Sequence, residues 1–492
     1  MSRDLPPELP ISPEDWARTP PAVQAVVLML WEEVQVLRVK VATLEARVAT
    51  LEERLGQNSQ NSSRPPSSDP PNASKREHKP SGRKPGGQPG HEGTGRSLLP
   101  LEEVDEIVVV KPERCACCRA DLSGVDLHPV RHQVTDLPPV KAKVTEYQLH
   151  TLACPECGTS TPAQLPEGVP RGAFGSRVQA LVSLLSGAYK ISKRNTQDLL
   201  SDCFGVELAL GSVCPLEQAT SEAVAQPVEE ARAYVKAQPA ANLDETGWRQ
   251  ENRKAWLWTA VTSLVSVFLI RFSRGSKVVR ELLGETFGGV VGSDRFSAYS
   301  FLHNRWRQVC WGHLKREFQA FVDRGGPSAL LGEALLEQVE IMFGWWYRVR
   351  DGTLKRSTFQ VYMSPVRGRV NELLRQGERS AHPKTASTCR EILKVEAALW
   401  TFVRKEGVEP TNNAAERALR HGVLWRKSSF GTQSQAGSLF VERMMTVVTT
   451  LRQQKRNVLD YLTAACEAAL LGQTPPSLLP NRHQTASSAQ TA

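Results

Sequence analysis

Three acidic residues stand in contexts that could support metal chemistry. Asp244 lies in Leu243-Asp-Glu-Thr-Gly-Trp248, and Asp294 closes the apolar stretch Val290-Val-Gly-Ser. Glu416 lies in Thr411-Asn-Asn-Ala-Ala-Glu-Arg-Ala-Leu-Arg420. Brought within a few ångströms, three carboxylates repel and raise one another's pKa. Hard divalent cations resolve that repulsion, since Mg²⁺ prefers carboxylate oxygen and retained water. Two metals about 4 Å apart can activate a hydroxyl nucleophile and stabilise the leaving oxygen of a phosphodiester. Each residue also has a plain structural reading. Asp244 could be a turn residue before Thr246-Gly247, Asp294 a cap for a helix starting near Phe296, and Glu416 the partner of Asn413 in a capping box. Glu245 is left out, because alternation along a strand turns it to the face opposite Asp244.

Basic side chains surround these positions. Residues 271–330 hold ten basic and five acidic residues, Lys315 and Arg316 among them. Arg417, Arg420, Arg426 and Lys427 follow Glu416. These six are candidates for holding nucleic-acid phosphates, and each is equally readable as a solvated surface charge.

A second chemistry belongs to the cysteines. Cys115-Ala-Cys-Cys118 and Cys154-Pro-Glu-Cys157 are paired knuckles. Four thiolates, Cys115, Cys118, Cys154 and Cys157, would close a tetrahedral, structural zinc site. Cys117 leaves the first pair open, since it could replace Cys118. The isolated Cys203, Cys214, Cys310, Cys389 and Cys466 read as small buried apolar residues.

The elements that must position these groups follow from periodicity. Strands are expected at Asn242–Trp248, 255–263, 265–272 and 288–292, with Gln250-Glu-Asn-Arg253 as the first turn. A helix is expected from Ser276, and helices again from His313 to about Lys405, with Trp345, Trp346 and Trp400 in their core. Residues 411–465 read as helical around a glycine-rich break at 430–437. Upstream, 176–230 read as helical, with a helix-turn-helix as one reading of 191–212. Short alternating runs at Ile107–Val110 and Val140–Val144 read as strands around the cysteines. Val23, Val27, Leu30, Val34, Leu37, Val41, Leu44, Val48, Leu51 and Leu55 keep an unbroken heptad. Valine at a with leucine at d favours a parallel two-stranded coiled coil.

Composition narrows the partners. The 492 residues carry a formal charge of +9, which favours a polyanion. Residues 56–99, rich in Pro, Gly, Ser and Asn, hold seven basic and three acidic residues and read as a flexible basic tether. The longest apolar run, Ala255–Ile270, is too short and too polar to span a bilayer. No signal-peptide pattern opens the chain, so a cytoplasmic, nucleoid-associated location and no membrane partner are expected.

At these residues the chain resembles the large transposase of the insertion sequence 66 family. The blocks are Leu243-Asp-Glu-Thr-Gly-Trp248, Ser293-Asp-Arg-Phe-Ser-Ala-Tyr299 with Cys310-Trp-Gly-His-Leu-Lys-Arg-Glu-Phe318, and Asn412-Asn-Ala-Ala-Glu-Arg417 through Arg426-Lys-Ser-Ser-Phe-Gly431. The linker and the paired knuckles are similar as well. The chain departs from the family at Arg295-Phe296 and Gly312, none of them a carboxylate. The resemblance implies a multidomain α+β protein: coiled coil, small zinc module, and ribonuclease-H-like α/β catalytic domain with a helical insertion. It implies a DDE-type enzyme in which Asp244, Asp294 and Glu416 hold two Mg²⁺ or Mn²⁺ ions per site. Its DNA partners would be transposon ends and target DNA. It also implies pairing of protomers through 23–55, as a homodimer or higher oligomer, and small accessory proteins. His313 recurs in the motif without a role assigned by it.

The expected domains are 1–57 (tail and coiled coil), 58–99 (linker), 100–170 (zinc module) and 171–237 (helical, DNA-contacting). They continue with 238–430 (catalytic, insertion at about 319–405), 431–475 (helical) and 476–492 (disordered tail). Cleavage at transposon ends followed by strand transfer is the expected activity. The alternatives are a non-catalytic zinc-containing DNA-binding regulator and a structure-specific nuclease of the same fold.

Overall fold

A computed structural model describes residues 5–6, 8–62, 69 and 97–479. Most of the expected linker, including the glycine-rich 84–91 motif, and residues 480–492 of the expected tail lie outside them. The chain divides into two compact units, 1–73, 147–197 and 208–492 in one and 74–146 and 198–207 in the other.

In the first unit a short helix α1 (Pro13–Arg18) precedes α2 (Pro21–Leu55). Proline at the first position of α2 costs nothing, since that N–H has no helical partner. At 1.5 Å per residue its 35 residues span about 52 Å. Nine of the ten heptad positions, all but Val27, are exposed.

The knuckles differ in setting. β1 (Thr151–Ala153) and β2 (Ser160–Pro162) form a two-stranded antiparallel hairpin around Cys154 and Cys157. In the second unit the strands expected at Ile107–Val110 and Val140–Val144 do not form. A strand needs a ladder partner for its backbone, and among the described residues these runs have none. Their side chains are open on both faces: the neighbours Val108 and Val109 are 71% and 73% exposed.

Four helices follow: α3 (Ser176–Gly187), α4 (Lys193–Phe204), α5 (Leu210–Ala223) and α6 (Ala225–Lys236). The main sheet has β3 (Ala240–Gln250), β4 (Arg253–Val261) and β5 (Ser266–Arg271), then α7 (Ser276–Leu283), β6 (Val290–Ser293) and β7 (Arg307–Val309). Its order is β5-β4-β3-β6-β7. The first three strands are antiparallel neighbours, while β3, β6 and β7 run parallel. The expected turn joins β3 to β4: Gln250 pairs with Arg253, and Glu251 and Asn252 both have positive φ, as a two-residue hairpin with right-handed strand twist requires.

Helices α8 (Trp311–Asp323), α9 (Gly326–Arg350), α10 (Arg356–Glu378), α11 (Pro383–Leu393), α12 (Glu396–Leu399) and α13 (Thr401–Arg404) come next. They enclose a core of their own with Trp346, Trp400 and Phe402. Trp345 is half-buried and packs on Tyr362, ring centroids 4.6 Å apart. Glu53 of α2 pairs with Arg324 at 3.2 Å and Lys384 at 2.7 Å in this region.

The chain returns to the sheet through α14 (Asn413–Ser429), α15 (Gln435–Gln453) and α16 (Val458–Leu470). Gly431 (φ 115°) makes the glycine-rich break possible, since a Cβ there would collide with the Arg249 carbonyl oxygen. Helix α15 then closes the free edge of β5. The N–H groups of Ser266, Phe268 and Ile270 donate to Thr450 Oγ1 (3.1 Å), Thr446 Oγ1 (3.2 Å) and Glu442 Oε1 (2.8 Å). Four helical residues advance about 6.0 Å and two strand residues about 6.6 Å, so successive turns of α15 meet successive N–H groups. An edge that could recruit another strand is thereby covered.

Candidate active site

Sheet register brings two of the carboxylates side by side. Asn242 of β3 pairs with Gly292 of the parallel strand β6. Two residues further along each chain come Asp244, opposite Thr259 of β4, and Asp294, just past the end of β6. Gly292 permits this close approach, because a Cβ there would run into the Asn242 side-chain oxygen. The third carboxylate, Glu416, is in the first turn of α14. The start of that helix is fastened to β3: the buried Asn412 amide donates to the Leu243 carbonyl at 3.3 Å. Helix α8 is tied in similarly, Cys310 N–H donating to Ser293 O and Trp311 N–H to Pro410 O, both at 2.9 Å.

The electrostatics express this proximity. Burial, then the charges of Glu245, Asp294 and Glu416, push the Asp244 carboxyl well above the ordinary range. Asp294 is also raised, by burial. The Phe296 N–H (2.9 Å) and the guanidinium groups of Arg307, Arg274 and Arg295 oppose that rise. Asp294 therefore does serve the local turn at Phe296 in addition to facing Asp244. Glu416 instead lies 3.6 Å from His313 Nδ1 and 3.7 Å from Arg316. Asn412, rather than Asn413, occupies the helix cap, and it makes no side-chain cap bond.

Several contributors were given no role by the sequence. Glu245, left out on strand alternation, is electrostatically part of the cluster: its charge helps raise Asp244, and burial, then the charge of Asp294, raises it. Its buried carboxylate accepts from Tyr299 Oη (2.8 Å) and from Arg274 Nε (3.0 Å). Arg307 on β7 donates to the Asp294 carbonyl at 2.7 Å. Burial, then Arg316 and Arg295, hold the His313 imidazole down to about 3, so it is neutral, and its Nδ1 is buried without a hydrogen-bond partner. Donor atoms of Cys310, His313 and Glu416 lie within 4.8 Å of one another. Among the described residues they are the one set of three potential ligands that close; Asp244, Asp294 and Glu416 do not form such a set.

The predicted phosphate contacts divide. Lys315, Arg417, Arg420 and Lys427 are exposed, whereas Arg316 and Arg426 are half-buried. Arg316 is turned to Glu416, and Arg426 donates to the Gly247 carbonyl and stands 3.5 Å from Thr246 Oγ1. Arg426 thus serves the packing of α14 on β3.

The two knuckles share one backbone pattern. Cys115 N–H donates to Ala120 O (2.9 Å) and Arg119 N–H to Cys115 O (3.0 Å). Cys154 N–H donates to Thr159 O and Gly158 N–H to Cys154 O, both at 2.9 Å. Arg119 and Gly158 both adopt left-handed backbone, φ 60° and 72°. In this register Cys118 matches Cys157, and Cys117 matches Glu156. Hydrogen bonds favour thiolate in each: backbone N–H groups of Cys118 and Cys117 lower Cys115, and Thr159 lowers Cys157.

Comparison with known proteins gives a consistent picture. Residues 171–439, more than half of the chain, match the family described as Transposase IS66 family. Residues 112–158, spanning both knuckles, match the zinc-finger binding domain of transposase IS66. Residues 13–97 match a family of unknown function, DUF6444. Two curated proteins of Sinorhizobium fredii (strain NBRC 101917 / NGR234) are similar, both described as uncharacterized. To y4qI the identity is 26% over 237 residues, covering 43% of this chain and 43% of that protein. To y4hP it is 23% over 391 residues, covering 71% and 69%. No described helix is long and apolar enough to cross a membrane.

Proposed function

The chain belongs to the IS66 transposase family, and on that premise we propose that it is a DDE-type DNA transposase that cleaves DNA at transposon ends and joins them to target DNA. The observation that carries this reading is the Asp244 carboxyl, buried and under the charges of Asp294 and Glu416. The sheet order β5-β4-β3-β6-β7, three antiparallel strands followed by two parallel ones, supports a ribonuclease-H-like catalytic domain over 238–430.

The donor set fits hard divalent cations. It offers three carboxylates, and burial with the neighbouring charges disfavours ionisation of Asp244 without compensating cations. Asp244, Asp294 and Glu416 would hold Mg²⁺ or Mn²⁺, two ions per site. When bound, these ions would activate the attacking hydroxyl and stabilise the leaving oxygen. The chain's own residues supply position. Arg274 and Tyr299 hold the Glu245 carboxylate, Arg307 holds the loop at Asp294, and Asn412 helps fix the start of α14. Lys315, Arg417, Arg420 and Lys427 would carry DNA phosphates. Water would attack at the transposon end, and the 3′-hydroxyl so released would attack the target strand.

Around this centre, Cys115, Cys118, Cys154 and Cys157 would bind one structural zinc, a reading supported by their spacing and the zinc-finger match over 112–158. The zinc module and the helices of 171–237 would contact terminal DNA. The exposed heptad face of α2 would pair two protomers so that two ends are handled together.

The test is Asp294→Asn, assayed for binding and for Mg²⁺-dependent cleavage of duplexes carrying the ends of the element that encodes the chain. Retained binding with abolished cleavage is expected. Full cleavage by the variant would overturn the carboxylate assignment, and joined products in the wild-type reaction distinguish a transposase from a nuclease.

A further inference from the structure

Beside the carboxylates lies a second feature, a cleft whose ionisable side chains are all basic. The N-terminal half of α14, the last turn of α15 and the β4–β5 hairpin enclose a cleft of about 340 Å³. Arg417 and His421, one helical turn apart on α14, line it together with Arg452 of α15, Ser266 and Gln453. No acidic side chain does. Lys190, just past α3, stands close enough that its charge acts on His421 and that Arg452 acts on it in turn. Burial depresses both Lys190 and His421 first, and the neighbouring cations depress them further; no carboxylate offsets this. Lys190 also holds left-handed backbone, φ 61°, a conformation that is uncommon without glycine.

Such a cluster is self-repulsive as it stands and gains stability from an anion. Its position indicates which anion. Val261 lines the cleft and sits two residues along β4 from Thr259, the partner of Asp244, roughly 7 Å away. Arg417 directly follows Glu416. A nucleic-acid strand rises about 3.4 Å per phosphate. A strand with one phosphate at the carboxylates would therefore reach this cleft within about two or three nucleotides.

Building on the transposase reading, we propose that the cleft lined by Arg417, His421 and Arg452, with Lys190 beside it, binds a phosphodiester and holds the DNA strand next to the scissile position. The interaction is with the backbone, so it is sequence-independent and sensitive to salt. Its ligand is a DNA phosphodiester; free inorganic phosphate shares the chemistry and is separated by experiment.

The experiment measures fluorescence anisotropy of a labelled DNA duplex with the zinc-loaded full chain, without added Mg²⁺ or Mn²⁺, across a salt series. Lys190→Gln combined with Arg452→Gln should weaken binding several-fold. It should also flatten the slope of log K against log salt by about 0.9 for each phosphate no longer neutralised, roughly 1.8 in all. Arg452→Lys, which keeps the charge, should bind nearly as wild type and serves if the glutamine variant fails to fold. Wild-type affinity and slope in the double variant would overturn the proposal. So would competition by inorganic phosphate as strong as that by unlabelled duplex, which would mark a free-anion site. Failure here is separable from failure of the transposase reading. A double variant that binds normally while wild type cleaves defeats only the cleft; wild type that neither binds nor cleaves DNA defeats both.

Discussion

The Asn412 side-chain amide donates to the main-chain carbonyl of Leu243 at 3.3 Å, so the residue before Asp244 is linked to the cap of the helix that carries Glu416. The link is buried, and Asn412 is fully enclosed. This amide therefore helps set the distance between Asp244 and Glu416, alongside the Arg426 bond to Gly247 O. Asn412→Ala should cost about 1 kcal/mol of stability, modest for a domain of this size. Cleavage should fall further, by about ten- to a hundred-fold, because small misplacements of reacting groups are expensive. The drop should appear in kcat, with KM for DNA nearly unchanged. Wild-type turnover in a folded Asn412→Ala protein would mean that other interactions place α14.

His313 supplies a pH dependence with a definite sign. Burial, Arg316 and Arg295 hold it down to about 3 in the folded chain, against an ordinary value of 6.5. The unfolded chain therefore takes up a proton that the folded chain refuses. Stability from this group is complete above pH 6.5 and declines as pH falls toward 3, at up to about 1.4 kcal/mol per pH unit. His313→Asn should remove that component. Chemical denaturation of both proteins without added Mg²⁺ or Mn²⁺, from pH 7 down to about 4, should show a stability difference that narrows or reverses with acid. Parallel curves would mean that His313 titrates normally.

The strands of this fold were legible in two ways. β3 alternates along its length, whereas β4 and β5 show as near-continuous apolar runs buried on both faces, and polar Gln250-Glu-Asn-Arg253 marks the turn between β3 and β4. Ser276 and the break at 430–437 likewise show where α7 begins and where α14 gives way to α15. β7 was not legible: it has three residues, and two of them, Arg307 and Gln308, are polar yet buried. Arg307 donates to Asp294 O, and Gln308 bonds Leu399 O and the Phe402 N–H, partners that only the tertiary fold provides. The runs at 107–110 and 140–144 failed in the opposite way, carrying strand-like side chains without a ladder partner. At the candidate site the carboxylates could be picked by context. Tyr299, Arg274 and Arg307 could not, since each acts through a bond made across the sheet.

The shared backbone pattern of the knuckles assigns the crowded one. Cys118 occupies the position of Cys157, and Cys117 that of Glu156. Cys118→Ser should therefore lower the zinc bound per chain, as should Cys157→Ser, whereas Cys117→Ser should retain it. Metal content of protein purified without chelator, read by mass spectrometry, checks this. Because structural zinc supplies folding free energy, Cys118→Ser should also make the 100–170 region sensitive to protease. Zinc absent from Cys117→Ser and kept by Cys118→Ser would reverse the assignment.

The exposed face of α2 carries the last expectation. Val27, Val34, Val41 and Val48 alternate with Leu30, Leu37, Leu44 and Leu51 at spacings of three and four, and all but Val27 are open to solvent in the single chain. An isolated helix has no reason to keep such a stripe along about 40 Å, whereas a two-stranded coil buries it. Leu37→Asp places a charge in that seam. On a solitary helix the change would be nearly neutral, because the position is already wet. In a coiled coil it should convert a dimer to a monomer in sedimentation equilibrium. Leu37→Ile with Leu44→Ile gives a finer check: β-branched residues at both a and d favour three or four strands, so the assembly should grow rather than dissociate. A monomeric wild-type chain, or a dimer indifferent to Leu37→Asp, would place the protomer interface elsewhere and leave α2 without a seam.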